Sequence, residues 1–257
     1  MRFDIACLFP DVCRGYLSQS LVRQALVHGL MDVRLHNLRD WARDRHRTVD
    51  DRPFGGGPGM VIKVQPVVEC VEDVQRQAAE PGRLIMLTPR GQRLTQPVVE
   101  SLAASKRLLL MCGRYEGFDE RVSDILRPEE ISVGDFVLGG GEVAALVLID
   151  AVARLIPGVL GDPDSPKNDS FSNTGRVLEH AQYTRPREYR GHRVPDILLS
   201  GDHPAIERWR RQQSLKTTRQ RRSDLLAPVP NSNDTAVADR PSCRPDAPCQ
   251  TERIEEP

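Results

Sequence analysis

The stretch best equipped for chemistry runs from residue 111 to residue 142, MCGRYEGFDERVSDILRPEEISVGDFVLGGGE. It carries two short glycine-bearing turns, CGRYEG and VLGGGE, with Glu116 in the first. Each follows an apolar, strand-like run, residues 108–111 before the first and 131–138 before the second. Glycine lets the backbone turn sharply and lets a ligand approach main-chain N–H and C=O groups. Two such turns after two strands suggest one pocket lined by backbone. Taken alone, they are equally compatible with two ordinary strand-to-helix connections.

A second stretch with chemical potential is 40–60, DWARDRHRTVDDRPFGGGPGM. It has almost no core-forming periodicity, mixes Arg43, Arg45, Arg47 and Arg52 with Asp44, Asp50 and Asp51, and runs into a glycine-rich end. A charged start and a glycine-rich end suggest a loop that closes over a ligand. It lacks the GK[ST] of a P-loop, which argues against nucleoside triphosphates. A self-neutralised surface loop is the plainer alternative.

These turns need elements to hold them. Hydrophobic spacing predicts strands at 3–9, 31–38, 83–87, 107–111 and 133–138, and helices at 18–30, 64–79, 96–105, 118–126 and 142–156. The last helix is apolar around most of its circumference and reads as buried. Strand–helix alternation predicts an α/β fold with a parallel sheet flanked by helices. Ligands of such sheets bind beyond the carboxyl ends of the strands, where Thr88-Pro89 and both glycine turns fall. A Rossmann fold would place its glycine turn after the first strand, but Pro10-Asp11-Val12-Cys13 follows Phe9 there.

Residues 162–176 are polar and punctuated by Gly and Pro, and read as an interdomain linker. They divide a first domain, 1–161, from a small, basic, helical domain, 177–226, whose clearest helix is 206–214. The tail, 227–257, has few large apolar residues and reads as disordered. The chain has no net formal charge, but from 176 to 226 there are 12 Lys/Arg against six Asp/Glu. Such a segment suggests a polyanion docked on one part of the surface, although it is also what a solvated helix face looks like. No apolar run is long enough for a membrane span, and the first residues read as a strand, not a signal peptide. The six cysteines include no CxxC pair, and four sit in or beside apolar runs, which favours reduced, buried thiols over disulfides or a zinc site.

Together with LTP at 87–89, LIDAVARLIPGVLG at 148–161, NDSF at 168–171 and HAQYTRP at 180–186, these motifs resemble the bacterial-type tRNA (guanine-N1)-methyltransferases of the SPOUT superfamily. The resemblance runs in order over roughly residues 1–226. It implies a trefoil-knotted S-adenosylmethionine-binding domain, a composite active site in a homodimer, a tRNA partner with neither DNA nor membrane, and a cytoplasmic location. It also implies methyl transfer to N1 of the guanine just 3′ of the anticodon. That nitrogen carries a proton in neutral guanine, so the reaction needs a base for the proton and a donor for charge developing on O6.

By the same resemblance Asp169 is the candidate base and Arg154 the O6 donor. Composition alone would make Asp169 a turn cap, and would pair Arg154 with Asp150 one helical turn away. Glu116 is a third candidate, for substrate or Mg²⁺; the sequence shows no metal-ligand cluster. The implied cofactor pocket is Leu87, Thr88, Pro89, Gly113, Tyr115, Glu116, Val133, Gly134, Asp135, Phe136, Val137, Leu138, Gly140 and Gly141. The implied tRNA contacts are His46, Asp50, Arg52, Gly59 and Ser170. Several family members carry Ser where this chain has Thr88 or Gly139, and most continue with helical sequence where the tail begins. An RNA-binding protein that kept the fold without the activity is the alternative; retention of Asp169, Arg154 and both turns favours the enzyme.

Overall fold

The computed structural model describes residues 1–162, 169–172 and 175–226. The tail read as disordered, and most of the linker, lie outside the described residues. Five strands form one parallel sheet: β1 (Arg2–Cys7), β2 (Asp32–Asn37), β5 (Arg83–Arg93), β6 (Arg107–Cys112) and β7 (Glu129–Ser132), in the order β2-β1-β6-β5-β7. A two-stranded ribbon of β3 (Asp50–Asp51) and β4 (Val61–Ile62) stands beside it.

The sequence of β6, RLLLMC, is buried at every position, as expected of a central strand covered on both faces. Its alternate residues serve two cores. Leu108, Leu110 and Cys112 join Phe3, Ile5 and Ile85 beneath α1 (Pro10–Leu17), α2 (Ser20–Val27), α4 (Gln96–Ala103) and α6 (Gly141–Ala153). Leu109 and Met111 join Met86 and Ala6 beneath α3 (Val64–Arg76) and α5 (Arg121–Leu126). Each fully buried Leu or Ile contributes about 1.5–3 kcal/mol.

One ion cluster is buried within this fold. Asp4 on β1, fully inaccessible, accepts from Arg107 Nε at 2.8 Å and from Arg2 Nη2 at 2.7 Å, and its Oδ1 lies 2.8 Å from His36 Nε2. Arg107 also donates to the Val74 carbonyl at 2.5 Å, tying α3 to the sheet. Burial pushes the Asp4 carboxyl up, but hydrogen bonds from His36, Arg2 and Arg107 outweigh it and hold it at about 2.

Several expected elements change. The helix expected at 18–30 is α2 alone, preceded by α1, which Pro10 opens at a position where its missing N–H is harmless. The strand expected at 83–87 runs on to Arg93, with a break in register between Leu87 and Gln92. The strand expected at 133–138 is not one. β7 ends at Ser132, whose hydroxyl donates to the Gly134 carbonyl and accepts from the Gly134 amide, while Gly134 takes a φ of +151°. That local turn competes with the ladder and leaves 133–139 as a loop. Helix α6 is less uniformly buried than its sequence suggests, since Val143 and Val147 are about half exposed.

Beyond the linker, the region read as helical contains one long helix, α7 (His203–Arg221), capped by Asp202 onto the Ala205 amide. A short hairpin, β8 (Glu188–Tyr189) and β9 (His192–Arg193), precedes it. No helix among the described residues is long and apolar enough to cross a membrane. Cys7, Cys13, Cys70 and Cys112 are buried free thiols; Cys243 and Cys249 lie outside the described residues.

Candidate active site

The two glycine turns meet. The Gly141 amide donates to the Gly113 carbonyl at 2.8 Å, and Arg114 bridges to Gly140 across the gap. A side chain on Gly141 would begin 2.7 Å from the Cα of Cys112, so only glycine permits this approach. Between the turns and the ends of β5 and β7 lies a cleft of about 330 Å³. Leu87, Thr88, Pro89, Gly113, Tyr115, Glu116, Val133, Gly134, Phe136, Val137, Leu138, Gly140 and Gly141 line it, joined by Gly139, which the implied cofactor pocket left out. Asp135 does not. Its carboxylate turns outward to Arg93 at 2.5 Å, as the alternating direction of an extended loop allows. Phe136 and Tyr115, each more than half exposed, form the lips.

The charged loop is anchored to the first turn. The Glu116 amide donates to the Met60 carbonyl at 3.0 Å, the Ile62 amide to Gly117 at 2.9 Å and the Asp119 amide to Ile62 at 2.9 Å. Gly59 lies directly against the Glu116 carboxylate. Farther out, His46 is exposed, and its amide donates to Asp44 at 3.1 Å. Arg52 is also exposed, with its amide on Asp51 at 2.8 Å, while Asp50 sits half-buried in β3.

Asp169 and Arg154 are brought together, away from this cleft. Arg154 Nη2 donates to Asp169 Oδ2 at 2.5 Å. Both line a second cavity of about 340 Å³ with Gln96, Ala151, Leu155, Ser170, Phe171 and Ser172. The bridge from Arg154 to the Asp150 side chain does not form: the guanidinium turns to Asp169, and Asp150 accepts from the Tyr16 hydroxyl at 2.5 Å. Burial and that bond push the Tyr16 hydroxyl up to about 12. Ser170 Oγ accepts from the Glu179 amide at 3.0 Å. Arg176 donates to both Glu100 oxygens, at 2.6 and 2.7 Å. The described part of the linker is therefore docked on the sheet domain instead of leading away from it.

Sequence reasoning missed one feature. Glu142, in the first turn of α6, is fully buried and pairs with Arg114 at 3.0 Å. A glutamate opening a helix ordinarily faces solvent, so its type gives no warning of this.

The cleft suits a nucleoside-bearing cofactor, with apolar walls and main-chain donors and acceptors at its rim. A metal fits less well. Among the described residues no three His, Cys, Asp or Glu side chains gather as ligands, and Glu116 alone does not make a Mg²⁺ site.

Known proteins sharpen the reading. Residues 1–228 match the family tRNA (Guanine-1)-methyltransferase TrmD. The chain is 63% identical over 227 residues to a tRNA (guanine-N(1)-)-methyltransferase of Rhodopirellula baltica, a match covering 88% of this chain and 94% of that one. It is 54% identical over 226 residues to the protein of that name from Geobacter sulfurreducens, covering 88% and 91%. With the one from Geobacillus kaustophilus it shares 51% over 231 residues, covering 90% and 93%. On the strength of these matches and of the sheet and turns described above, the chain belongs to the TrmD family of tRNA (guanine-1)-methyltransferases.

Proposed function

We propose that Asp169 takes the proton from N1 of the guanine immediately 3′ of the anticodon while Arg154 donates to O6. The chain is a tRNA guanine-N1 methyltransferase, dependent on S-adenosylmethionine and acting near the anticodon loop. The observation that carries the assignment of roles is the 2.5 Å contact between Arg154 and Asp169. The charge-assisted bond holds the carboxylate in one orientation beside the guanidinium, so a proton acceptor and a hydrogen-bond donor stand side by side. A guanine inserted between the two exchanges their mutual bond for one contact to N1–H and one to O6. Proton removal frees the N1 lone pair for attack, and the negative charge spreads to O6, where the guanidinium meets it.

The cofactor, whose binding we assign to the glycine-turn cleft, supplies a methyl group already activated on a sulfonium, so no covalent enzyme intermediate is needed. Leu87, Val133 and Leu138 would flank the adenine, with main-chain groups of the turns reading its edge. Since Asp169 and Arg154 do not line that cleft, the reading includes a homodimer in which one subunit's Asp169 serves its partner's cleft. Support comes from Val12 and Tyr16 on α1 and Val143 and Val147 on α6, which leave an exposed, largely apolar face beside the turns. The tRNA would meet His46, Asp50, Arg52, Gly59 and Ser170, and the exposed cations Arg208, Arg211, Lys216 and Arg219 of α7 would hold its phosphates. Such a protein would work in the cytoplasm. No step is assigned to Mg²⁺.

The test is methylation of a tRNA transcript with a guanine following the anticodon, beside one with adenine there. Methyl transfer to the first alone is expected; equal transfer to both would overturn the substrate assignment.

A further inference from the structure

The glycine-turn cleft has two cations in its wall, Arg90 and Arg114. Arg90 is saturated. Its Nε donates to Glu130, its Nη1 to Glu120, and its Nη2 to Glu120, Glu130 and Ser123. Arg114 is held differently. Its Nε donates to Glu142 Oε2 at 3.0 Å, and its guanidinium carbon lies 4.7 Å from the centre of the Phe9 ring. Among the described residues neither of its terminal nitrogens has a hydrogen-bond partner.

Glu142 is an unusual anchor. Its side chain is wholly buried, and its second oxygen, Oε1, is buried without a hydrogen-bond partner. Burying a carboxylate this way is costly unless a cation stays beside it, so Arg114 is fixed at its Nε. Gly140 completes the arrangement, since a Cβ there would lie 2.3 Å from Arg114 Nε and 2.6 Å from Glu142 Oε2. A guanidinium pinned at Nε and stacked on a ring still presents the fork of its two terminal nitrogens, the edge that matches a carboxylate.

We propose that Arg114, positioned by Glu142, receives the carboxylate at the amino-acid end of S-adenosylmethionine. The cofactor is a nucleoside at one end and a zwitterion at the other. The apolar walls and turn amides suit the first, and Arg114 is the lining cation whose two terminal nitrogens both lack a partner among the described residues, which leaves them for the second. Arg114 thus touches the cofactor, and Glu142 acts through it.

The inference rests on the cofactor occupying this cleft, and the experiment separates the two. Calorimetry measures binding of S-adenosylhomocysteine and of 5′-methylthioadenosine, which has the same nucleoside and thioether but no amino-acid carboxylate. Arg114→Gln should weaken S-adenosylhomocysteine about 10–100-fold, the loss expected of a charge-assisted pair, and leave methylthioadenosine within about twofold. Glu142→Gln keeps an acceptor for Nε while removing the anchoring charge, and should act in the same direction by a smaller factor. Arg114→Lys should recover part of the loss. Methylthioadenosine also reports that the cleft is folded. Equal losses for both ligands would show a merely structural role and overturn the proposal. So would no loss for either, including the case where only the KM for tRNA rises and Arg114 meets a phosphate. The placement itself is tested by Gly139→Leu, a position with nothing within 4 Å of a Cβ. If binding of both ligands survives that substitution, the cofactor lies elsewhere.

Discussion

Gly59 and Glu116 are packed so closely that a methyl group on Gly59 would lie 2.2 Å from a Glu116 carboxylate oxygen. Gly59 also takes a φ of +87°, which L side chains rarely adopt. The end of the charged loop and the first glycine turn are therefore a single fitted unit. Gly59→Ala should displace the Glu116 side chain or the loop. Steady-state kinetics should show kcat/KM for tRNA falling by as much as about a hundredfold, with the melting temperature lowered by only a few degrees. Unchanged kinetics would mean that Glu116 has no part in catalysis or tRNA placement.

Asp169→Asn removes the proton acceptor while keeping a side chain of the same shape beside Arg154. Single-turnover methylation should slow by about 10²–10⁴-fold, with calorimetric affinity for S-adenosylhomocysteine within a few-fold. Near-normal turnover would assign the proton to another group.

Subunit mixing tests the composite site. Asp169→Ala protein and Gly139→Leu protein should each be inactive alone. After exchange, a mixed dimer should regain one working site, because one subunit supplies the open cleft and the other the carboxylate. Gly141→Arg is unsuitable as the partner variant, since its Cβ would strike the β6 backbone. Verified exchange without recovered methylation would place each site within one chain.

The Asp4 cluster predicts how the fold responds to acid. The carboxyl is held at about 2, below its unfolded value near 3.9. Its contribution is therefore complete above about pH 4 and is lost as the pH falls toward 2. Asp4→Asn leaves Arg107 buried without a counter-charge and should cost about 3–5 kcal/mol at neutral pH. Denaturant unfolding at pH 7 and pH 3 should show a smaller gap between wild type and variant at the lower pH. A constant gap would mean that Asp4 does not titrate on unfolding.

Much of this architecture is legible in the residues. The unbroken apolar run of β6 announces a central parallel strand, and the spacing in α3 and α4 gives those helices within a few residues. The turns could be located because glycine records a backbone requirement directly. Position 133–138 misleads, since Val133, Phe136, Val137 and Leu138 suit a strand and only the bonds between Ser132 and Gly134 stop it. The Arg114–Glu142 pair was hidden for another reason. Burial of a charge depends on which segments the fold brings together, and 28 residues separate these two. The contact of Asp169 with Arg154 inside one chain is likewise a property of the folded linker, invisible in a polar stretch whose composition reads only as a connector.

Six of the residues around the cleft are glycines, 113, 117, 134, 139, 140 and 141. Much of its inner surface is therefore peptide, which point mutation cannot change in chemistry. It can only add bulk, and at Gly140 and Gly141 added bulk collides with Arg114 or with the strand behind. A competitive inhibitor that grips carbonyls and amides here would face a target with few routes to resistance. Each substitution able to expel it from those two positions would also dismantle the meeting of the turns.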